Sequence, residues 1–382
     1  MNKSSKILFE GSPIFRNRSG VGQYVYRLLD KLLAIDKDNS YYIFGFIFAG
    51  KKFQEPYKKL PRNARYKLIR LLPSKVHNVL SRRLFVPPID VLTGVKADLT
   101  IFTNFVRTPL PLGSKSITFI YDLSFITFRK FSNDKNAQLL TKQAAIAARK
   151  SDKIVTISAN SKREIVEEYG IDPAKIEIVH PALDHSVYYQ RPANEQKSVA
   201  RKFQIDGEYI LYTGTIEPRK NIVGIIEAYT KLPADLKRKY MLVLAGGKGW
   251  KDEEIRQSLA KHSEERIVLT GYVADEDLPA LYSGASLFVF PTFYEGWGMP
   301  PLEAMACGVP VVCSDNSSLP EVVGSAALTI SANDTKALTR EMTRVLTDKK
   351  LAAKLVKAGY LQAKKFDWGK SARKLKEIID SI

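Results

Sequence analysis

Short runs of β-branched and aromatic residues alternate with longer helical patterns along most of the chain, and this alternation constrains the fold more than any other feature. Strands are predicted at 6–10, 42–48, 116–121, 153–158 and 176–180, and again at 209–212, 241–245, 267–270, 286–290 and 310–313. Near-continuous apolar strands separated by helices dictate parallel sheets covered on both faces. One doubly wound sheet rarely holds so many strands, so the expected class is α/β with two Rossmann-like domains facing one another across a cleft. The length of 382 residues agrees, at ~150 residues per domain. The polar stretch 184–202 places the boundary, giving domains 1–185 and 186–365. In the segment 366–382, Trp368, Leu375, Ile378, Ile379 and Ile382 recur at helical spacing. A helix with so narrow an apolar stripe must dock on something already folded.

Composition excludes several classes. The apolar fraction of 45% and charged fraction of 26% describe a globular protein rather than a disordered or collagenous one. The longest apolar candidate, 41–50, is ten residues, against the ~18 needed to cross a bilayer. The first ten residues do not read as a secretory signal, and two cysteines, Cys307 and Cys313, are too few for a disulfide framework, so a cytoplasmic location is expected. Lys plus Arg minus Asp plus Glu is 59 − 40 = +19, a field that favours polyanions. Between Lys51 and Arg83 eleven basic residues face one acid, Glu55, with apolar residues interleaved. That mixture suits a surface resting on anionic headgroups, and equally a solvated face of ordinary helices.

Ligands of open parallel sheets bind beyond the carboxyl ends of the strands, so motifs directly after strands carry the chemistry. Gly20-Val-Gly22 follows the first strand and opens an amphipathic helix with Tyr24, Val25, Leu28, Leu29 and Leu32 as its buried face. Glycines there let the backbone approach a ligand closely. Glu217-Pro-Arg-Lys-Asn221 lies between a strand and the helix from about 222 to 231, with Asn221 as its expected cap. Arg219 and Lys220 at that edge make a phosphate site, or a solvent-facing pair. The block from Glu295-Gly-Trp-Gly-Met to Glu303 is the most informative. Pro300 and Pro301 suit the first turn of a helix and Gly308 its stop, placing Glu295 in the loop and Glu303 in the first turn. Two such carboxylates suit sugar hydroxyls, since each oxygen accepts a hydrogen bond.

These blocks, with Gly271-Tyr-Val273, Leu278 and the continuation Ala304 to Pro310, make the chain resemble a retaining glycosyltransferase of family four with the GT-B architecture, similar to bacterial polysaccharide mannosyltransferases. The resemblance implies that Arg219 and Lys220 hold the donor diphosphate and that Glu303 binds the ribose. It places Glu295 near the transferred sugar, with backbone amides of Gly298 and Met299 among the donors to it. Tyr272 and Val273 would lie at the base, Gly20 and Gly22 at the phosphates, and the last helix would cross back to the N-terminal domain. Asp122 keeps the acid of a His-Asp pair common in the family, while Tyr121 stands where the histidine would. That phenol cannot do histidine's proton chemistry near neutral pH. Some members also carry an arginine where Thr215 stands, which leaves Arg219 and Lys220 as the main cations.

The implied reaction moves a hexose, with mannose favoured, from a nucleotide diphosphate sugar to a glycan acceptor, with retention and no metal or resident cofactor. GDP-mannose is the favoured donor. The string Asp275-Glu-Asp277 reads as a helix start rather than a metal site, since Leu278, Leu281 and Tyr282 follow at helical spacing. Cys307 and Cys313 are expected as buried thiols and His180 as a structural histidine. Two other function classes share some of these features. A nucleic-acid-binding protein accounts for the charge but lacks any recognised motif. A nicotinamide oxidoreductase needs a third glycine, where Val25 stands, and an acid after the second strand, where Phe46-Ile-Phe48 stands. The basic segment 51–83 further suggests attachment at the inner face of the membrane, near a lipid-linked acceptor in surface polysaccharide synthesis.

Overall fold

The computed structural model describes residues 4–15, 20–48, 55–57, 59–71, 87–128 and 134–382. They divide into two compact units, one of Met1–Pro181 with Trp368–Ile382 and one of Ala182–Asp367. The sequence placed the crossings after residues 185 and 365. Most of the basic segment 51–83 lies outside the described residues.

In the first unit the strands are β1 Lys6–Glu10, β2 Ser40–Phe48, β3 Ala64–Leu71, β4 Leu99–Phe102, β5 Lys115–Phe119, β6 Lys153–Thr156 and β7 Ile176–Ile178. All pair in parallel, in the order β3-β2-β1-β4-β5-β6-β7. Register follows from burial: Ile7, Leu8 and Phe9 of β1 are wholly buried, as a central strand covered on both faces requires. The helix Gly20–Ile35 lays Tyr24, Val25, Leu28, Leu29, Leu32 and Leu33 against the core, and it packs on the final helix Trp368–Asp380. That helix buries Trp368, Ala372, Leu375, Ile378 and Ile379, and the Trp368 ring sits 5.7 Å from that of Tyr24. The narrow apolar stripe is therefore satisfied within the first unit.

The second unit contributes β8 Glu208–Thr213, β9 Tyr240–Ala245, β10 Ile267–Gly271, β11 Leu287–Phe290, β12 Val311–Ser314 and β13 Leu328–Ile330, again all parallel, in the order β10-β9-β8-β11-β12-β13. Three strands were absent from the sequence reading. In β3, ARYKLIRL, basic residues alternate with apolar ones at an edge, so charge masked the period of two. In the strands β4, LTIF, and β13, LTI, a threonine interrupts an already short apolar run.

Candidate active site

Strand order reverses between β8 and β11, because the chain leaves β8 for β9 and β10 on one side and returns to β11 on the other. Loops diverge at such a point and leave a crevice at the carboxyl edge. The residues after these two strands meet there. A single helical turn Pro218–Lys220 follows β8, and the loop carrying Glu295 follows β11.

Lys220 Nζ donates to Glu295 Oε1 at 2.5 Å, and Arg219 Nη1 stands 3.4 Å from the same oxygen. Arg219 also pairs with Glu217 at 2.8 Å and donates to the Tyr294 carbonyl at 2.7 Å. Two cations and two carboxylates thus form one mostly buried network, with the Arg219 side chain the most exposed member at 22%. Burial lowers the Lys220 ammonium from its ordinary value, while the Glu295 carboxylate opposes that shift. The Glu295 loop is itself fixed: its N–H donates to Ser317 Oγ at 3.0 Å, and Ser318 Oγ donates to the carbonyls of Glu295 and Trp297.

Gly298 precedes the helix Met299–Ala306 with φ of +110°, a backbone region closed to larger residues. A Cβ there would also approach Leu319 within 2.6 Å. Glu303 is the fifth residue of the helix, just past the first turn where the sequence places it, because the helix opens at Met299 ahead of Pro300. Its Oε2 accepts from Tyr282 Oη at 2.7 Å. Burial pushes the Glu303 carboxyl up to about 7, against the lowering influence of the Tyr282 and Tyr188 hydroxyls. Asn221 occupies the expected cap position, but its side chain makes no capping bond. It donates instead to the carbonyls of Pro291 and Ala332, tying β8 to the β11 side of the crevice.

Tyr272 is 75% exposed directly after β10, while the neighbouring Val273 is buried. Asp277 sits at the N-cap of the helix Leu278–Ser283 and pairs with Lys202 at 2.5 Å. Both cysteines are buried and free, with their thiols pushed up to about 12 by burial. Four contributors went unrecognised in the sequence. Glu217 lay inside a quoted motif but showed no pairing signal, and Tyr188 and Tyr282 looked like core aromatics. Gly246 follows β9, where a Cβ would come within 1.8 Å of the Gly214 carbonyl oxygen. Only glycine lets those two loops touch, and a Gly-Gly after a strand was the available signal.

A phosphate-scale cation pair and two acids at the switch point fit an activated sugar, and comparison with known proteins agrees. The model described as Glycosyltransferase Family 4 matches residues 18–187, and that described as Glycosyl transferases group 1 matches residues 194–362. The chain is 34% identical over 369 residues to the O-antigen chain mannosyltransferase B of Escherichia coli, covering 95% of this chain and 96% of that protein. The chain belongs to glycosyltransferase family 4.

A second Escherichia coli relative, the serotype-specific mannosyltransferase WbdA, is 34% identical over 249 residues, which are 64% of this chain and 29% of WbdA. Among solved structures, Anabaena Alr3699/HepE in complex with UDP and glucose superposes with a TM-score of 0.72 over 99% of this chain and 100% of that one, at 15% identity. WaaG, a glycosyltransferase involved in lipopolysaccharide biosynthesis, gives 0.69 over 98% and 99% at 17% identity. The fold class expected from the sequence, two Rossmann-like domains of the GT-B type, is the one found. Neither the nucleic-acid reading nor the oxidoreductase reading has support.

In the first unit of this glycosyltransferase, Gly20 opens the helix Gly20–Ile35 and is exposed, while Gly22 is buried. Asp122 accepts from the Ser124 N–H at 2.9 Å. Tyr121 is buried, and burial holds its phenol well above the usual range. It donates to the Thr103 carbonyl at 2.5 Å, so its hydroxyl is spent on β4. His180 Nδ1 lies 3.0 Å from the Ile157 carbonyl.

Proposed function

We propose that the protein transfers mannose from GDP-mannose to a hydroxyl of a glycan acceptor, with retention at the anomeric carbon and without a divalent metal, in building a surface polysaccharide. The observation that carries this reading is Glu295 Oε1 shared by Lys220 and Arg219 at the switch point of the second sheet. The departing diphosphate is the species whose charge grows, and preorganised cations at its position lower that barrier. Arg219 and Lys220 take that role, supplying the positive charge that a metal would otherwise bring. Glu295 accepts hydrogen bonds from the transferred sugar, with the amides of Gly298 and Met299 beside it. Glu303 accepts from the ribose hydroxyls, held for that purpose by Tyr282.

Tyr272 stacks on the base from its exposed position, with Val273 packing beneath. Gly20 meets open space where a Cβ would stand, so packing alone does not demand glycine there, which supports a ligand-facing role for the Gly20-Val-Gly22 turn. Asp122 contacts the sugar. Mannose is supported by the names of the relatives, both mannosyltransferases. Retention and the front-face course follow from the family resemblance. In that course the sugar–phosphate bond breaks as the acceptor oxygen bonds the same face, and its proton passes to the leaving phosphate.

The acceptor is lipid-linked and the protein works at an anionic membrane surface. The basic total of +19 supports this, as does the helix Asp134–Lys150, whose exposed side carries Leu139 and Ile146 among Lys142, Arg149 and Lys150. No described helix is long and apolar enough to cross a membrane. Co-sedimentation with phosphatidylglycerol vesicles at low salt, weakened by Leu139→Ser with Ile146→Ser, checks it; no binding at low salt would retire it. For the reaction itself, GDP-mannose and a short alkyl mannoside are incubated with and without EDTA and the product linkage read by NMR. An α-linked product with undiminished rate in EDTA is expected, and a β-linked product or EDTA-sensitive transfer would overturn retention or metal independence.

A further inference from the structure

The first sheet has a switch point of its own. The chain leaves β1 for β2 and β3 on one side and returns to β4 on the other, so the carboxyl ends of β1 and β4 flank a crevice as those of β8 and β11 do. At that point stands a carboxylate to which neither the motifs nor the mechanism above gives a task. Glu10, the last residue of β1, accepts the N–H of Thr103 at 2.9 Å through Oε2, while Thr103 Oγ1 donates to the Glu10 carbonyl at 2.9 Å. One carboxylate oxygen is thereby fixed by the first residue beyond β4.

The surroundings are those of a prepared polar site. Burial pushes the Glu10 carboxyl up to about 7, outweighing the lowering influence of the Thr103 N–H and the Ser12 side chain. Tyr121 packs near it, its hydroxyl engaged by the Thr103 carbonyl, and Tyr24 stacks edge-on against Tyr121 at 5.6 Å with its own hydroxyl on the Val179 carbonyl. Both phenols are held neutral by burial, so they do not compete for a proton with Glu10 near neutral pH. Phe105, two residues past Thr103, has φ of +60°, a left-handed backbone that a bulky residue adopts only when its surroundings compel it. Asn104 between them is exposed. The Phe105 ring packs edge-on against Tyr121 at 5.3 Å and Phe125 at 5.6 Å, so an acid and an amide are the groups this crevice offers a polyhydroxylated ring.

We infer that Glu10, at the switch point of the first sheet, binds a hydroxyl of the acceptor sugar, with the neighbouring Asn104 completing that subsite. This rests on the proposed mannosyl transfer, because it takes the acceptor to be a glycan. A charge-assisted hydrogen bond is lost when Glu10 becomes an amide, whereas the Gln oxygen still accepts from Thr103, so the strand tie survives.

The test is ligand-observed NMR with methyl α-mannoside, alongside calorimetry with GDP, on the full chain and on Glu10→Gln. The expected result is equal GDP affinity and mannoside affinity weakened ten- to a hundredfold. Equal mannoside affinity in the two proteins overturns the inference, and so does a wild-type protein that binds GDP but no mannoside at millimolar concentration. A lowered melting temperature with unchanged mannoside affinity would make Glu10 merely structural and also overturns it. If Glu10→Gln fails to bind GDP, Glu10→Asp, which keeps the charge on a shorter arm, decides on the same two readouts. A wild-type protein that binds no GDP instead refutes the proposed donor, a separate failure.

Discussion

Replacing Lys220 with methionine separates the stability of the buried network from its chemistry. The Lys220 and Glu295 side chains are 11% and 10% exposed, and their contact is 2.5 Å. Breaking a buried pair costs roughly 3–5 kcal/mol because one charge is left uncompensated. Here Arg219 remains 3.4 Å from Glu295 and recovers part of that loss. The expected destabilisation of Lys220→Met is therefore about 2–3 kcal/mol, or roughly 4–12 °C in melting temperature for a unit of this size. Adding Glu295→Gln removes the stranded charge, so the double variant should recover at least about 1 kcal/mol relative to additivity. Transfer activity follows the opposite course: each variant and the double should fall about a hundredfold or more, because the proposed mechanism sets both groups at the reacting sugar phosphate. Urea unfolding of the four proteins of the cycle, with transfer rates on the same samples, reads both effects. A harmless Lys220→Met with strictly additive stabilities would refute the network. Recovery of activity together with stability would refute its catalytic role.

The Glu303 carboxyl rises from 4.5 to about 7 on folding, so its protonated form is the one favoured in the folded state. Its stabilising contribution is complete below about pH 4.5 and is lost as pH rises through about 7, amounting to roughly 3 kcal/mol. Glu303→Gln should accordingly gain stability relative to the parent between pH 5 and 8; melting curves across that range that stay parallel would contradict the burial argument. Leu375 is wholly buried on the final helix, and Leu375→Ala should cost about 2–5 kcal/mol by denaturant unfolding, chiefly in the first unit. A cost below about 0.5 kcal/mol would mean the helix is not docked in solution.

Much of the fold was legible in the sequence because parallel sheets covered on both faces force long apolar strands. The strand Lys6–Glu10 and the helix Trp368–Asp380 could be placed nearly to the residue. Legibility failed where a threonine splits a short apolar run, as in Leu328–Ile330, or where edge charges overwrite the pattern, as in Ala64–Leu71. The site divides in the same way. Arg219, Lys220, Glu295 and Glu303 announced themselves through turn residues and spacing, which are local. Tyr188 and Tyr282 did not, because their buried partner Glu303 lies 115 and 21 residues away in sequence, and Glu217 did not, although its partner Arg219 stands only two residues on. Asn221 shows the intermediate case: its position was readable, but its side chain serves Pro291 and Ala332 rather than its own helix. Glu10 carried no motif at all, and only strand order gives it a place.

In the proposed reaction Arg219 and Lys220 recognise a diphosphate. Titration calorimetry with GDP and with GMP tests it most directly, on the parent protein and on Arg219→Ala with Lys220→Ala. The parent is expected to prefer GDP by ten- to a hundredfold and the double variant to bind both nucleotides with similar, weak affinity. Equal affinities in the parent, or a double variant that retains the preference for GDP, would contradict it.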